Sequence, residues 1–246
     1  MPPGEFELIA RHFTGRGAPR DDVRLAVGDD AAVVTPRAGA ELVLALDTIV
    51  AGVHFPAETA AQFVGHRALA VNLSDLAAMG AEPAWALLGL TLPAADESWI
   101  SGFVTGLDQL ARRFGLALIG GDTTRGPLAA TVTVGGWVTA GAALTRSGAR
   151  SGDELWVSGT PGDAGAGLAI MQGKLAAAGA SRDELLRRFL LPEPRIRLGM
   201  ALHGIASACI DISDGLAGDL AKLCRASGIG ARLDCPLVPR SGSLIE

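Results

Sequence analysis

Six carboxylates fall where an apolar strand or helix should run uninterrupted, and this placement constrains the fold more than any other feature of the chain. Asp47 interrupts LALDTIV and Asp75 interrupts AVNLSDLAAM. Asp122 closes IGGDTT, Asp211 and Asp214 frame DISDGL, and Asp30 follows an apolar run through Gly28 and Asp29. An ionised carboxylate in such surroundings is costly unless it is paired or ligates a cation. Capping or core pairing would explain any one of them equally well, but six recurring at strand ends and inside buried elements favour convergence on metal. Carboxylates and backbone carbonyls are hard oxygen donors and suit Mg²⁺.

The glycines point the same way. Gly120-Gly121 before Asp122, and the Gly-rich stretch 159–167, let backbone N–H groups approach an anion closely, although an ordinary tight turn explains either loop taken alone. The second stretch also opens a helical pattern, whose positive end favours an anion. The familiar nucleotide signatures are missing: Gly173-Lys174-Leu175 lacks the phosphate-loop glycine and hydroxyl, and no GxGxxG follows a strand. The Asp residues of DISDG are three apart, which is the wrong spacing for an aspartyl phosphatase.

Composition excludes several classes. Hydrophobic residues make up 49% and charged residues 19%, which rules out intrinsic disorder. The formal net charge is -5 with no basic run, so neither a nucleic-acid groove nor a polybasic membrane anchor is expected. Residues 126–145 carry one charge-free run long enough to span a bilayer. Its Thr131-Val132-Thr133-Val134 alternation has the period of a strand instead. No secretory signal is visible at the N-terminus, and Cys209, Cys224 and Cys235 lack metal or disulfide spacing, so a cytoplasmic protein is expected.

Hydrophobic periodicity predicts an α/β chain of 246 residues in two parts, 1–145 and 146–246. In the first part, apolar runs at 23–34 and 41–50, strands at 85–92, 117–119 and 130–138, and helices at 58–79 and 96–114 are expected. In the second, strands at 154–158 and 209–212 accompany helices at 168–178, 182–191, 194–206 and 216–227. So little sheet cannot cover those helices, which predicts an incomplete second domain.

Six segments, in order and spacing, resemble the thiamine-monophosphate kinase family: GDDA (28–31), DTIVAGVHF (47–55), GHRALAVNLSDLAAMGAEP (65–83), IGGDTT (119–124), RSGARSGDELWVSG (146–159) and DISDGLAGDL (211–220). The third and fourth are shared with aminoimidazole ribonucleotide synthetase and selenophosphate synthetase, whereas the second and the last are more specific to the kinase. No Cys precedes 209 and no Lys precedes 174, which disfavours selenophosphate synthetase. The resemblance implies a two-domain fold like that of aminoimidazole ribonucleotide synthetase, with N-terminal domains pairing into a β-barrel in a homodimer, and a C-terminal domain continuing beyond residue 246. It implies direct transfer of the ATP γ-phosphoryl group to thiamine monophosphate. Asp30, Asp47, Asp75, Asp122 and Asp211 would hold Mg²⁺ ions around the triphosphate, with Asp214 on a further ion. Gly121, Asp122, Arg146 and Ser213 would contact ATP, and His54 the thiamine phosphate; no catalytic general base is expected. Two departures from the family pattern stand out: Ala45 and Leu46 replace small hydroxyl residues, and Thr105 replaces an aromatic. Another phosphoryl acceptor, or a fragment that binds Mg·ATP without turnover, stays open as an alternative.

Overall fold

A computed structural model describes residues 5–245, so the first four residues and the last one of the two expected parts lie outside the described residues. The chain order is α1 (Glu5–His12), β1 (Val23–Leu25), β2 (Val33–Val34), β3 (Ala40–Val50), α2 (Ala61–Ala78), β4 (Glu82–Leu92), α3 (Glu97–Arg113), β5 (Ala117–Arg125) and β6 (Ala129–Thr139). The helices α4 (Asp163–Met171), α5 (Gly179–Leu190), α6 (Ile196–Ala201), α7 (Leu216–Ser227) and α8 (Gly242–Ile245) follow.

Four strands form one mixed sheet in the order β3-β6-β4-β5. The last strand, β6, inserts antiparallel between β3 and β4, while β4 and β5 run parallel across the α3 crossover. β6, within the uncharged stretch, is therefore a central strand, and its alternating Ala130, Val132 and Val134 are buried. No helix among the described residues is long and apolar enough to cross a membrane.

The core lies between the sheet and the pair α2–α3. Leu69, Leu73 and Leu76 of α2 and Ile100, Phe103 and Leu107 of α3 meet Leu90 and Val132 of the sheet. Each such side chain contributes roughly 1.5–3 kcal/mol by leaving water. Asp96 starts α3 by accepting the Ser98 and Trp99 N–H groups at 2.9 and 3.1 Å. The two helices touch backbone to backbone: a Cβ on Gly65 would stand 1.9 Å from the Phe103 carbonyl oxygen, and one on Gly106 1.9 Å from that of Gln62.

Several expected elements differ. The apolar run 23–34 is broken into β1 and β2 by a turn at Gly28, whose φ is +122°. The segments 154–158 and 209–212 are not strands, and among the described residues no strand follows β6. A strand needs a ladder partner, which composition alone does not supply. Trp156 accordingly stands 83% exposed, its indole N–H donating to Glu154. Helix α4 begins at Asp163, five residues before the predicted start, because the buried Asp163 carboxylate accepts the Thr160 and Ser241 hydroxyls and ties the first turn down. Helix α6 covers only part of 194–206.

Candidate functional site

Helix α2 and strand β3 bring the first carboxylates together. The Asn72 side chain, fully buried, accepts the Asp47 backbone N–H at 2.9 Å and donates to the Ala68 carbonyl at 2.9 Å. Asp75 lies one turn further along the same helix. Burial, then Asp211, then Asp47 push its carboxyl up to about 6, while Arg146 pulls the other way. Asp211 is likewise raised, chiefly by burial, opposed by the Ser74 hydroxyl, with Asp219, Arg146 and Asp47 acting behind them. Asp47, Asp75, Asp211 and Arg146 are thus near enough to act on one another's charge. Arg146 is exposed, and its guanidinium has no carboxylate within 4.0 Å among the described residues.

Asp122 is elsewhere. It lies on β5, the edge opposite β3, and cross-strand register places it in one row with Gly89, Thr131 and Thr48. Asp47 occupies the neighbouring row with Val132, Leu88 and Gly121. Adjacent rows point to opposite faces, and three strand spacings separate the two edges by roughly 14 Å. Asp122 instead flanks a cavity of about 30 Å³ with Ile9, Phe13, Val27, Gly120 and Gly121, too small for a nucleotide. Asp30 is exposed at the tip of the β1–β2 turn, where Asp29 accepts its N–H at 2.8 Å. Among the described residues, no three His, Cys, Asp or Glu side chains stand close enough to hold one metal ion. Gly121 has φ +151°, and a Cβ there would meet the Leu88 carbonyl oxygen at 1.9 Å, so strand packing alone demands glycine.

The DISDGL segment is held by a residue that sequence reasoning missed. Asp219, 1% exposed, accepts the N–H groups of Ser213, Asp214 and Gly215 on one carboxylate oxygen at 2.9, 2.9 and 3.1 Å. Its other oxygen takes Lys222 Nζ at 2.8 Å, and Lys222 also donates to Asp214 at 2.5 Å. The loop amides are thus spent on Asp219, and what 211–215 offers a ligand is the Asp211 carboxylate, the Ser213 hydroxyl and the exposed Asp214 carboxylate beside Lys222. The available signal was an Asp four residues beyond Gly215, in the first turn of α7.

His54 lies in the tight turn after β3, exposed, with Nδ1 accepting the Val50 N–H at 3.0 Å. A neutral ring so held carries its proton on Nε2, a donor aimed outward. Of the two departures, Leu46 is 59% exposed and Thr105 returns its hydroxyl to the Ser101 carbonyl at 2.8 Å.

Residues 28–140 match the family model of the AIR synthase related protein N-terminal domain, and 150–245 that of its C-terminal domain. The fold is therefore that of the AIR synthase-related class. The chain is 50% identical over 245 residues to the thiamine-monophosphate kinase of Escherichia coli K12, covering 99% of this chain and 75% of that one. The solved structure of thiamine-monophosphate kinase from Stenotrophomonas maltophilia superposes with a TM-score of 0.86 at 49% identity, covering 91% of this chain and 72% of that one. AaThiL complexed with AMPPCP and TMP has a TM-score of 0.74 at 32% identity, over 79% and 63% of the two chains. The chain belongs to the thiamine-monophosphate kinase family.

Proposed function

We propose that this chain phosphorylates thiamine monophosphate to thiamine diphosphate, moving the ATP γ-phosphoryl group directly and in line onto the substrate phosphate. The observation that carries the reading is that Asp47, Asp75, Asp211 and the unpaired Arg146 act on one another's charge, in a chain 50% identical to a thiamine-monophosphate kinase.

Both reactants are polyanions, so charge must be offset before they meet. Bound Mg²⁺ would supply that positive charge. The donor chemistry fits: burial first, and neighbouring carboxylates after it, raise Asp75 and Asp211, and a divalent cation would relieve both costs. Asp47, Asp75 and Asp211 would hold such ions from one side, with Asp30, Asp122 and Asp214 as the outlying donors.

Arg146 can fork onto two phosphate oxygens, being always protonated. The Ser213 hydroxyl and the Gly121–Asp122 backbone would contact ATP, and His54 Nε2 would donate to the thiamine phosphate. An acceptor phosphate is already ionised near neutral pH, so no side chain has to remove a proton from it. The sheet face carrying Leu42, Leu44 and Leu46, the last two 58% and 59% exposed, supports pairing of N-terminal domains in a homodimer. Division of the chain near residue 146 and a cytoplasmic location belong to the same reading. A coupled assay with ATP, Mg²⁺ and thiamine monophosphate tests it. Formation of thiamine diphosphate is expected, and ATP binding without that product would overturn it.

A further inference from the structure

Asn72 is an amide in the middle of an 18-residue helix, completely buried among leucines. Asparagine is a mediocre helix former, and a buried amide is costly unless its hydrogen bonds are made. A leucine there would join the core without either cost. The side chain makes one hydrogen bond within its own helix, to the Ala68 carbonyl, and one to another element. That second partner is the backbone N–H of Asp47 itself, on edge strand β3.

The helical repeat puts residues three apart on one face, so Asn72 and Asp75 are neighbours along α2. The amide therefore pins β3 to α2 at the level where the two carboxylates stand. We infer that Asn72 is a positioning residue, which tethers the Asp47 backbone to α2 and fixes the separation at which Asp47 and Asp75 receive a divalent cation. The inference rests on the kinase reading for the purpose of the cation, but the tether itself is geometric.

Outer-sphere hydrogen bonds that orient metal ligands typically carry 10–100-fold in metal affinity. With Mn²⁺ as the probe, followed by electron paramagnetic resonance of the free ion, Asn72→Ala should weaken binding by about tenfold or more. In the coupled assay the same variant should lose about tenfold in kcat, with a KM for thiamine monophosphate within about threefold of wild type. A lower Tm with unchanged Mn²⁺ affinity and kcat would assign Asn72 to packing alone and overturn the inference. Should Asn72→Ala fail to fold, hydrogen exchange of the wild-type chain decides: a slow Asp47 amide supports the tether, and a fast one overturns it. Wild-type turnover is measured alongside. A wild-type chain that makes no thiamine diphosphate, yet shows the Asn72-dependent Mn²⁺ binding, keeps the tether and loses the kinase reading.

Discussion

Asp75→Asn should make the metal-free protein more stable while abolishing transfer. Burial and the neighbouring carboxylates push the folded Asp75 carboxyl up to about 6, against an ordinary aspartate value of 3.8. Each pKa step is worth ~1.4 kcal/mol, so the ionised folded state carries a cost of about 3 kcal/mol at neutral pH. Solvent in a half-open site trims this to an expected ~1–2 kcal/mol. The sign follows from proton counting. Between pH ~4 and ~6 the folded chain holds a proton that the unfolded chain has released, so stability falls as pH rises through that window. Below ~4 both states are protonated, and Asn, which mimics the neutral acid, should make no difference. Urea unfolding of both proteins with a chelator present, from pH 4 to 7.5, measures the gap directly. It should open from near zero to ~1–2 kcal/mol. A gap independent of pH, or a variant less stable at pH 7.5, would refute the argument that these carboxylates are crowded at the expense of the fold.

Gly121→Ala should cost on the order of 3 kcal/mol or more, because the new methyl meets the Leu88 carbonyl, and calorimetry should show a Tm lower by ~6–12 °C. Asp219→Ala strips three loop N–H groups of their acceptor and should cost ~2–4 kcal/mol in chemical denaturation. Burial pushes the Asp219 carboxyl up, but Lys222 and the loop amides outweigh it and hold it below the usual range. Its contribution in the wild type is therefore present above pH ~4 and fades as pH falls through that lowered value. Arg146→Lys keeps the charge and loses the fork, so kcat/KM should fall by about 10–100-fold with Tm unchanged, since the side chain is exposed.

What could be read from sequence was whatever local periodicity controls. Helices α2, α3 and α7 and strands β3, β4 and β6 lie within three residues of the expected boundaries, because apolar spacing and the glycines that end them are local signals. The segments 154–158 and 209–212 have strand composition but pair with no strand among the described residues, and pairing is a property of the fold. The start of α4 was hidden because Gly165 and Gly167 read as loop, while the buried Asp163 that anchors it has its partner Ser241 far along the chain. At the site, the acidic residues announced themselves by their apolar context. That Asp47 and Asp122 lie on opposite edges and faces of one sheet follows from strand order, which no spacing reveals. Asn72 and Asp219 escaped notice since an amide or an acid in a helix is unremarkable until its partner is known.

The contact at Gly65 and Gly106 has a bearing on motion. Two helices whose backbones touch have no side-chain layer to slide on, so α2 cannot shift along α3 without colliding with a carbonyl. The helix that carries Asn72 and Asp75 thus serves as a fixed datum. Any closing of the site over its reactants has to proceed without α2 sliding along α3.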